Sequence, residues 1–295
     1  MFSRLALKLY SSVKQGIIKS NFQFWKNFES SESVEKLEID TRQDKVYLEE
    51  NNISLVCCFD AEFPSIPTAI KNSEKPFLFA YKGDIGLLKN IKNNIAVIGT
   101  LNPTEDIKNR EERLVQELVK NGLTIVSGLA KGCDSISHKI CLENGGKTIA
   151  ILPSTLEKIF PSENKQLADI IIANGGLVIT EYITEPKNRY ETIKRFIDRD
   201  RLQAMFSSAI ILIASNSYGE GDSGSRHAMN KAKEYSRKRF CMYDEKQDLD
   251  NPLFCLNIDE IHSGAEIISS SKIKRLRDEI SNWFRWNFGW YNHFK

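Results

Sequence analysis

The chain has 295 residues, with 41 Lys and Arg against 39 Asp and Glu, for a formal net charge of +2. That balance excludes binding of nucleic acid by overall charge, so any basic surface has to be local. Six cysteines with no CxxC pair argue against a zinc site and a secreted disulfide framework, and no apolar run approaches the ~20 residues of a membrane span. Free thiols fit a reducing, cytoplasmic setting, and the length fits one large domain with a small appendage, or two domains.

Residues 1–28 contain no acid but carry Arg4, Lys8, Lys14, Lys19 and Lys26, with Phe2, Leu5, Leu9 and Val13 on one helical face. That composition fits an organellar transit peptide and equally a basic helical domain. A polar stretch, 29–44, follows. Two apolar runs, 53–59 and 77–81, with Pro64, Pro67 and Pro76 between them, read as strands flanking a main sheet. From residue 95 onward, strands alternate with helices. The strands are 95–98, 123–126, 147–152, 177–180, 209–214 and 239–242; the helices begin near Thr104 and at 162, 189 and 225, with another carrying Ile136, Ile140 and Leu142. Thr104 with Glu105 and Asp106 reads as a helix cap. The alternation implies βαβ units: an α/β, doubly wound, mainly parallel Rossmann-like sheet with a small N-terminal helical domain. The expected division is 1–44 helical, 45–270 Rossmann-like, and an aromatic tail over 271–295 that includes Trp283, Trp286 and Trp290.

The most informative segment is Ser127-Gly-Leu-Ala-Lys-Gly-Cys-Asp134, joining an apolar strand to a helix. Gly128 and Gly132 permit a sharp turn and close approach of a ligand, and Lys131 adds a mobile cation. Such a turn either cradles phosphate at a helix N-terminus or is a tight connection with no ligand. Gly99-Thr100 ends the preceding strand in the same way, and ligands of such sheets bind beyond the carboxyl ends of the strands. Two basic runs, 187–201 and 231–239, read by themselves as solvated helix faces. Asp134 and His138 lie four apart on one helical face, a spacing better suited to a structural pair capping the helix than to acid–base chemistry. His227 reads equally as a phosphate contact or as a local bond. Neither a Ser-His-Asp arrangement nor paired carboxylates emerge, so no catalytic residues and no cofactor are assigned.

With these segments in place, the sequence resembles the DNA-processing protein A family (DprA, also called Smf) over roughly residues 50–270. The blocks occur in one order: Tyr47-Leu-Glu-Glu-Asn-Asn-Ile-Ser-Leu, Phe63-Pro-Ser-Ile-Pro, Phe77-Leu-Phe-Ala-Tyr-Lys-Gly-Asp84, Ile95-Ala-Val-Ile-Gly-Thr100, the segment 122–134 with His138, and Phe160-Pro-Ser-Glu-Asn164. Phe196-Ile-Asp-Arg-Asp-Arg-Leu202, Ser223-Gly-Ser225 and the closing 261–268 complete the set. Within the N-terminal region, 13–18, 24–31 and 34–37 resemble a degenerate helix-hairpin-helix element, which favours a folded domain over a transit peptide. The chain departs from the family in two places. Gly99-Thr100-Leu101 lacks the arginine of the usual Gly-Ser-Arg, and Arg199-Asp200-Arg201 stands where Arg-Asn-Arg is common.

The resemblance implies a non-enzymatic protein that binds single-stranded DNA, protects it and assists loading of a RecA-type recombinase in transformation or recombination. It implies a homodimer in the cytoplasm, with no membrane association. DNA or phosphate contacts are expected at Gly99, Thr100, Ser127, Gly128, Lys131 and Gly132 on one wall, and at Ser223, Gly224, Ser225 and Arg226 on the next. Arg199 and Arg201 are expected from the intervening helix, with salt bridges to Asp198 and Asp200 as the structural alternative. Two rival readings are a nucleotide-binding sensor and a lysine-decarboxylase-like nucleotide N-glycosidase. The latter's Pro-Gly-Gly-x-Gly-Thr-x-x-Glu motif is not matched at 219–225. For the dimer, independent support lies in the strand 240–242 and segment 251–268. They leave a late sheet edge that a second copy or the aromatic tail would have to cover.

Overall fold

The computed structural model describes residues 2–28, 30–221 and 223–276, with the backbone alone at Ser223. The tail residues Trp283, Trp286 and Trp290 lie outside the described residues. In chain order the helices and strands are α1 (Arg4–Lys14), α2 (Asn21–Asn27), α3 (Ser31–Glu35), α4 (Arg42–Glu50), β1 (Ser54–Cys57), β2 (Leu78–Gly83), β3 (Asn94–Ile98), α5 (Glu105–Lys120), β4 (Thr124–Ser127) and α6 (Cys133–Glu143). They continue as β5 (Thr148–Ile151), α7 (Lys165–Ala173), β6 (Leu177–Thr180), α8 (Arg189–Met205), β7 (Ala209–Leu212), α9 (Ser223–Glu234), β8 (Lys238–Cys241), α10 (Glu245–Asp248), α11 (Cys255–His262) and β9 (Glu266–Ile267). This is the α/β, mainly parallel architecture that the alternating pattern implies. The chain divides into two compact units.

The first unit holds the described residues up to Lys89 and Ile149–Arg199. Its strands lie in the order β1-β2-β6-β5. β2 pairs antiparallel with both β1 and β6, while β5 and β6 run parallel. Helix α1 packs against β1, β2, α3 and α4. Ala6, Leu7, Leu9 and Tyr10 are buried, whereas Phe2, Leu5 and Val13 of the expected single face are only partly so. Phe24 is fully buried and stacks on Phe77, with ring centroids 4.1 Å apart. Trp25 Nε1 donates to the Lys75 carbonyl at 2.9 Å. These contacts tie the N-terminal helices to the strands that follow.

The second unit holds Asn90–Thr148 and the described residues from Asp200 onward. Its strands lie in the order β4-β3-β7-β8-β9, all parallel. Every residue of β3 and β7 is buried, the signature of a parallel sheet covered on both faces. Ile95, Val97, Ile107, Val115, Ile125 and Ile211 form the centre of the core. Thr104 caps α5 as expected, its hydroxyl accepting from the Ile107 amide at 3.4 Å. The sheet edge expected at 240–242 is not open: β9 pairs with β8 in the register Phe240↔Glu266, because the chain returns alongside after α11.

Candidate functional site

In the second unit, the loops leaving β3, β4 and β7 converge at the carboxyl ends of those strands. Gly99 follows β3, and a Cβ there would stand 2.7 Å from Cys133 Sγ and 3.2 Å from Ile213 Cβ. The first residue of α6 therefore rests directly on the strand end. The Thr100 amide donates to the Ala214 carbonyl beyond β7 at 2.8 Å, and the Cys133 amide donates to the Thr100 carbonyl at 3.1 Å. Gly132 adopts φ +73° and ψ −131°, a region essentially reserved for glycine. A Cβ at that position would collide with the Thr100 carbonyl and lie 2.5 Å from the carbonyl carbon of Leu101.

The loop after β4 is closed upon itself. Ser127 is buried and its hydroxyl donates to the Val97 carbonyl at 2.7 Å, tying β4 to β3. Asp134 Oδ2 accepts from the amides of Gly128 at 3.1 Å and Ala130 at 3.3 Å. The carboxylate thus occupies the loop amides that a phosphate would otherwise use, which is the structural role expected of Asp134. Leu129, fully buried, holds φ +58°. Lys131 is exposed at the tip. Below the loop, Glu111 is fully buried and accepts from the Ser137 hydroxyl at 2.7 Å. Burial pushes its carboxyl up to about 8. His138 Nδ1 lies 2.7 Å from Thr148 Oγ1, whose hydroxyl donates to the Ile125 carbonyl. The ring nitrogen is therefore the donor, and the histidine acts as a core brace.

The loop after β7 leads into α9, which begins Ser223-Gly224-Ser225-Arg226. Gly224 and Ser225 are half-buried. The Arg226 side chain is 22% exposed, with Nη2 3.5 Å from Asp259 Oδ2 and its guanidinium carbon 5.3 Å from the centre of the Tyr218 ring. Asp200 is buried and accepts from Gln203 Nε2 at 3.2 Å. Its other oxygen stands 3.2 Å from where a Cβ on Gly224 would lie, so a carboxylate sits on the first turn of α9. That turn is where the positive end of the helix favours an anion.

Arg201, in the second unit, is only 5% exposed. Arg199, in the first unit, is 4% exposed and donates from Nη1 to the Ile151 carbonyl at 3.2 Å. Both lie within the protein body, not on an open face. Much of the two basic runs is likewise engaged. Arg195 pairs with Glu191 at 2.7 Å and lies over the Tyr182 ring, and Lys194 pairs with Asp198. Arg237 donates to the carbonyls of Ala204 and Met205 at the end of α8, and burial lowers its pKa to about 10. Arg239 pairs with Glu260.

Sequence reasoning passed over Tyr218, whose only signal is an aromatic residue in a glycine-rich loop. It also passed over a cavity of about 410 Å³ in the first unit, lined by residues that include Phe160, Phe196, Ile159, Pro186 and Lys165. Among the described residues no three His, Cys, Asp or Glu side chains gather to hold a metal, and no helix is long and apolar enough to cross a membrane.

Comparison with known proteins places this geometry. Protein Smf of Synechocystis sp. is 35% identical over 176 residues, covering 60% of this chain and 42% of that protein. DNA processing protein DprA of Streptococcus pneumoniae is 43% identical over 109 residues, 37% of each chain. The chain therefore matches less than half the length of either relative. Among solved structures, DprA from Streptococcus pneumoniae aligns with a TM-score of 0.67 and 25% identity over 91% of both chains. DprA from Helicobacter pylori, solved in a study of its single-stranded DNA binding mode, aligns with a TM-score of 0.59 and 25% identity, covering 78% of this chain and 96% of that one. The family model described as DNA recombination-mediator protein A matches residues 54–277, from the first strand to beyond the last. With all three strand-end loops inside that match, the chain belongs to the DNA recombination-mediator protein A family.

Proposed function

We propose that this protein binds single-stranded DNA across the carboxyl ends of β3, β4 and β7 and acts in DNA processing during recombination or transformation, with no turnover of its own. The observation that carries the reading is the convergence of the three strand-end loops, with Thr100 bonded to Ala214 and Cys133 to Thr100. They present Lys131 at one loop tip and Arg226 on the first turn of α9. Cations at such a strand-end edge suit a sugar-phosphate backbone and track it without reading sequence. The single-stranded DNA binding of the Helicobacter pylori neighbour supports the same ligand.

In this reading Lys131 and Arg226 meet phosphates, with the backbone of Thr100, Gly132, Gly224 and Ser225 alongside. Gly99, Ser127 and Gly128 shape the surface. Arg199 and Arg201 are buried, so neither is assigned a phosphate in this reading. The proposal extends to protection of the bound strand, delivery to a RecA-type recombinase, and a cytoplasmic homodimer. These extensions rest on family membership.

A titration of labelled oligo-dT over rising salt tests the reading. Lys131→Ala and Arg226→Ala are each expected to weaken binding of every sequence alike and to reduce the salt slope by about 1. Unchanged affinity and slope in both variants would overturn it. Release of a free base from a nucleoside monophosphate would instead support an N-glycosidase.

A further inference from the structure

We propose that Tyr218 is a stacking platform for an unpaired base of the bound strand, held in place from one side by Arg226. This rests on the single-stranded DNA reading and adds to it a contact that the phosphate-binding loops do not supply. The Tyr218 ring is 82% exposed, the most exposed large hydrophobic side chain among the described residues. Its segment carries bonds of its own: Asn216 Nδ2 donates to the Glu220 carbonyl at 2.8 Å, and the Glu220 amide donates to the Ser217 carbonyl at 3.1 Å. Gly219 and Gly221 take φ +80° and +103°, bending the chain so that the tyrosine stands at the crest. Core packing does not explain a ring in this position.

The cation explains it better. The Arg226 guanidinium carbon lies 5.3 Å from the ring centre, a cation–π contact, while the ring remains mostly in water. A flat aromatic face backed by a guanidinium is the chemistry that receives a nucleobase, because every base has a π-face to offer. Duplex bases are already stacked on each other, so this platform selects unpaired strands. It makes no contact with base edges and is tolerant of sequence. Arg226 then serves two purposes: it meets a phosphate and it orients the ring that takes the neighbouring base.

The test uses the full chain with two probes: labelled oligo-dT, and a strand of the same length with the bases removed. Tyr218→Ala is expected to weaken oligo-dT binding by roughly five- to thirtyfold, the lower range of a single stacking contact. The salt slope is expected to stay unchanged, because no phosphate contact is lost. Tyr218→Phe restores the affinity. On the abasic strand, wild type and Tyr218→Ala bind equally. The proposal is overturned if Tyr218→Ala binds oligo-dT like the wild type, or if its loss is as large on the abasic strand. In those cases the single-stranded DNA reading still stands on the phosphate contacts. A wild type that binds neither strand overturns both.

Discussion

The loop after β4 and the loop after β7 are both small-residue connections from a buried parallel strand to a helix, yet they have been put to different use. The first is consumed internally: Asp134 takes the amides of Gly128 and Ala130, and Gly132 is wedged against Thr100 and Leu101. The second is open. A Cβ on Gly219 would meet nothing within 4 Å, and Tyr218 projects into water beside Arg226. A glycine motif therefore does not by itself announce a ligand. Glycines serve equally for close packing of backbone on backbone, and the partner of each amide decides between the two uses.

The sharpest way to break this comparison is to add one methyl group to each loop. Gly132→Ala combines a glycine-only backbone conformation with a backbone collision, and it is expected to cost on the order of 3 kcal/mol or more. Gly219→Ala has only the left-handed backbone at φ +80° to contend with, and about 1 kcal/mol is expected. Thermal and urea unfolding of the two variants measures both. Equal losses would mean the β4 loop is not the closed one.

The base of the closed loop has its own signature in pH. Glu111 is held neutral by burial, its carboxyl raised from 4.5 to about 8. The unfolded chain releases that proton near the lower value, whereas the folded protein keeps it until the higher one. Stability linked to the neutral form is therefore full below about 4.5 and lost as pH rises to about 8. Glu111→Gln keeps a neutral acceptor for Ser137 and removes the loss, flattening stability across that window by up to about 5 kcal/mol. Urea midpoints at several pH values check it, and a variant that loses stability with pH in parallel with the wild type would contradict it.

The smallest expected effect sharpens the open side. Asp200 places a carboxylate on the first turn of α9, where an incoming phosphate would benefit from the helix dipole. Asp200→Asn removes that charge while retaining an acceptor toward Gln203. Affinity for oligo-dT is expected to rise roughly two- to fivefold. A fall in affinity would mean the carboxylate organises the site instead of opposing the ligand.

Much of the fold was legible because buried parallel strands read as unbroken apolar runs. The runs at 95–98, 177–180 and 209–214 correspond to β3, β6 and β7, and the helix expected to begin at 189 spans Arg189–Met205. What escaped has physical reasons. β9 has two residues, too few for any periodicity to register, so the edge at β8 looked open. Arg199 and Arg201 read as DNA contacts and Arg237 as a solvated charge, whereas their burial is visible only in three dimensions. The capture of two loop amides by Asp134 depends on a turn whose shape sequence spacing does not specify. Tyr218 lies in a loop with no pattern to reveal its exposure.

The central claim is that the converging strand ends take a single, unpaired strand. Its most direct test is one titration at fixed salt comparing oligo-dT with the same oligonucleotide annealed to its complement. Tighter binding of the single strand is expected, with the preference narrowed by Tyr218→Ala and left intact by Lys131→Ala. Equal affinity for the two forms, or preference for the duplex, would contradict the account.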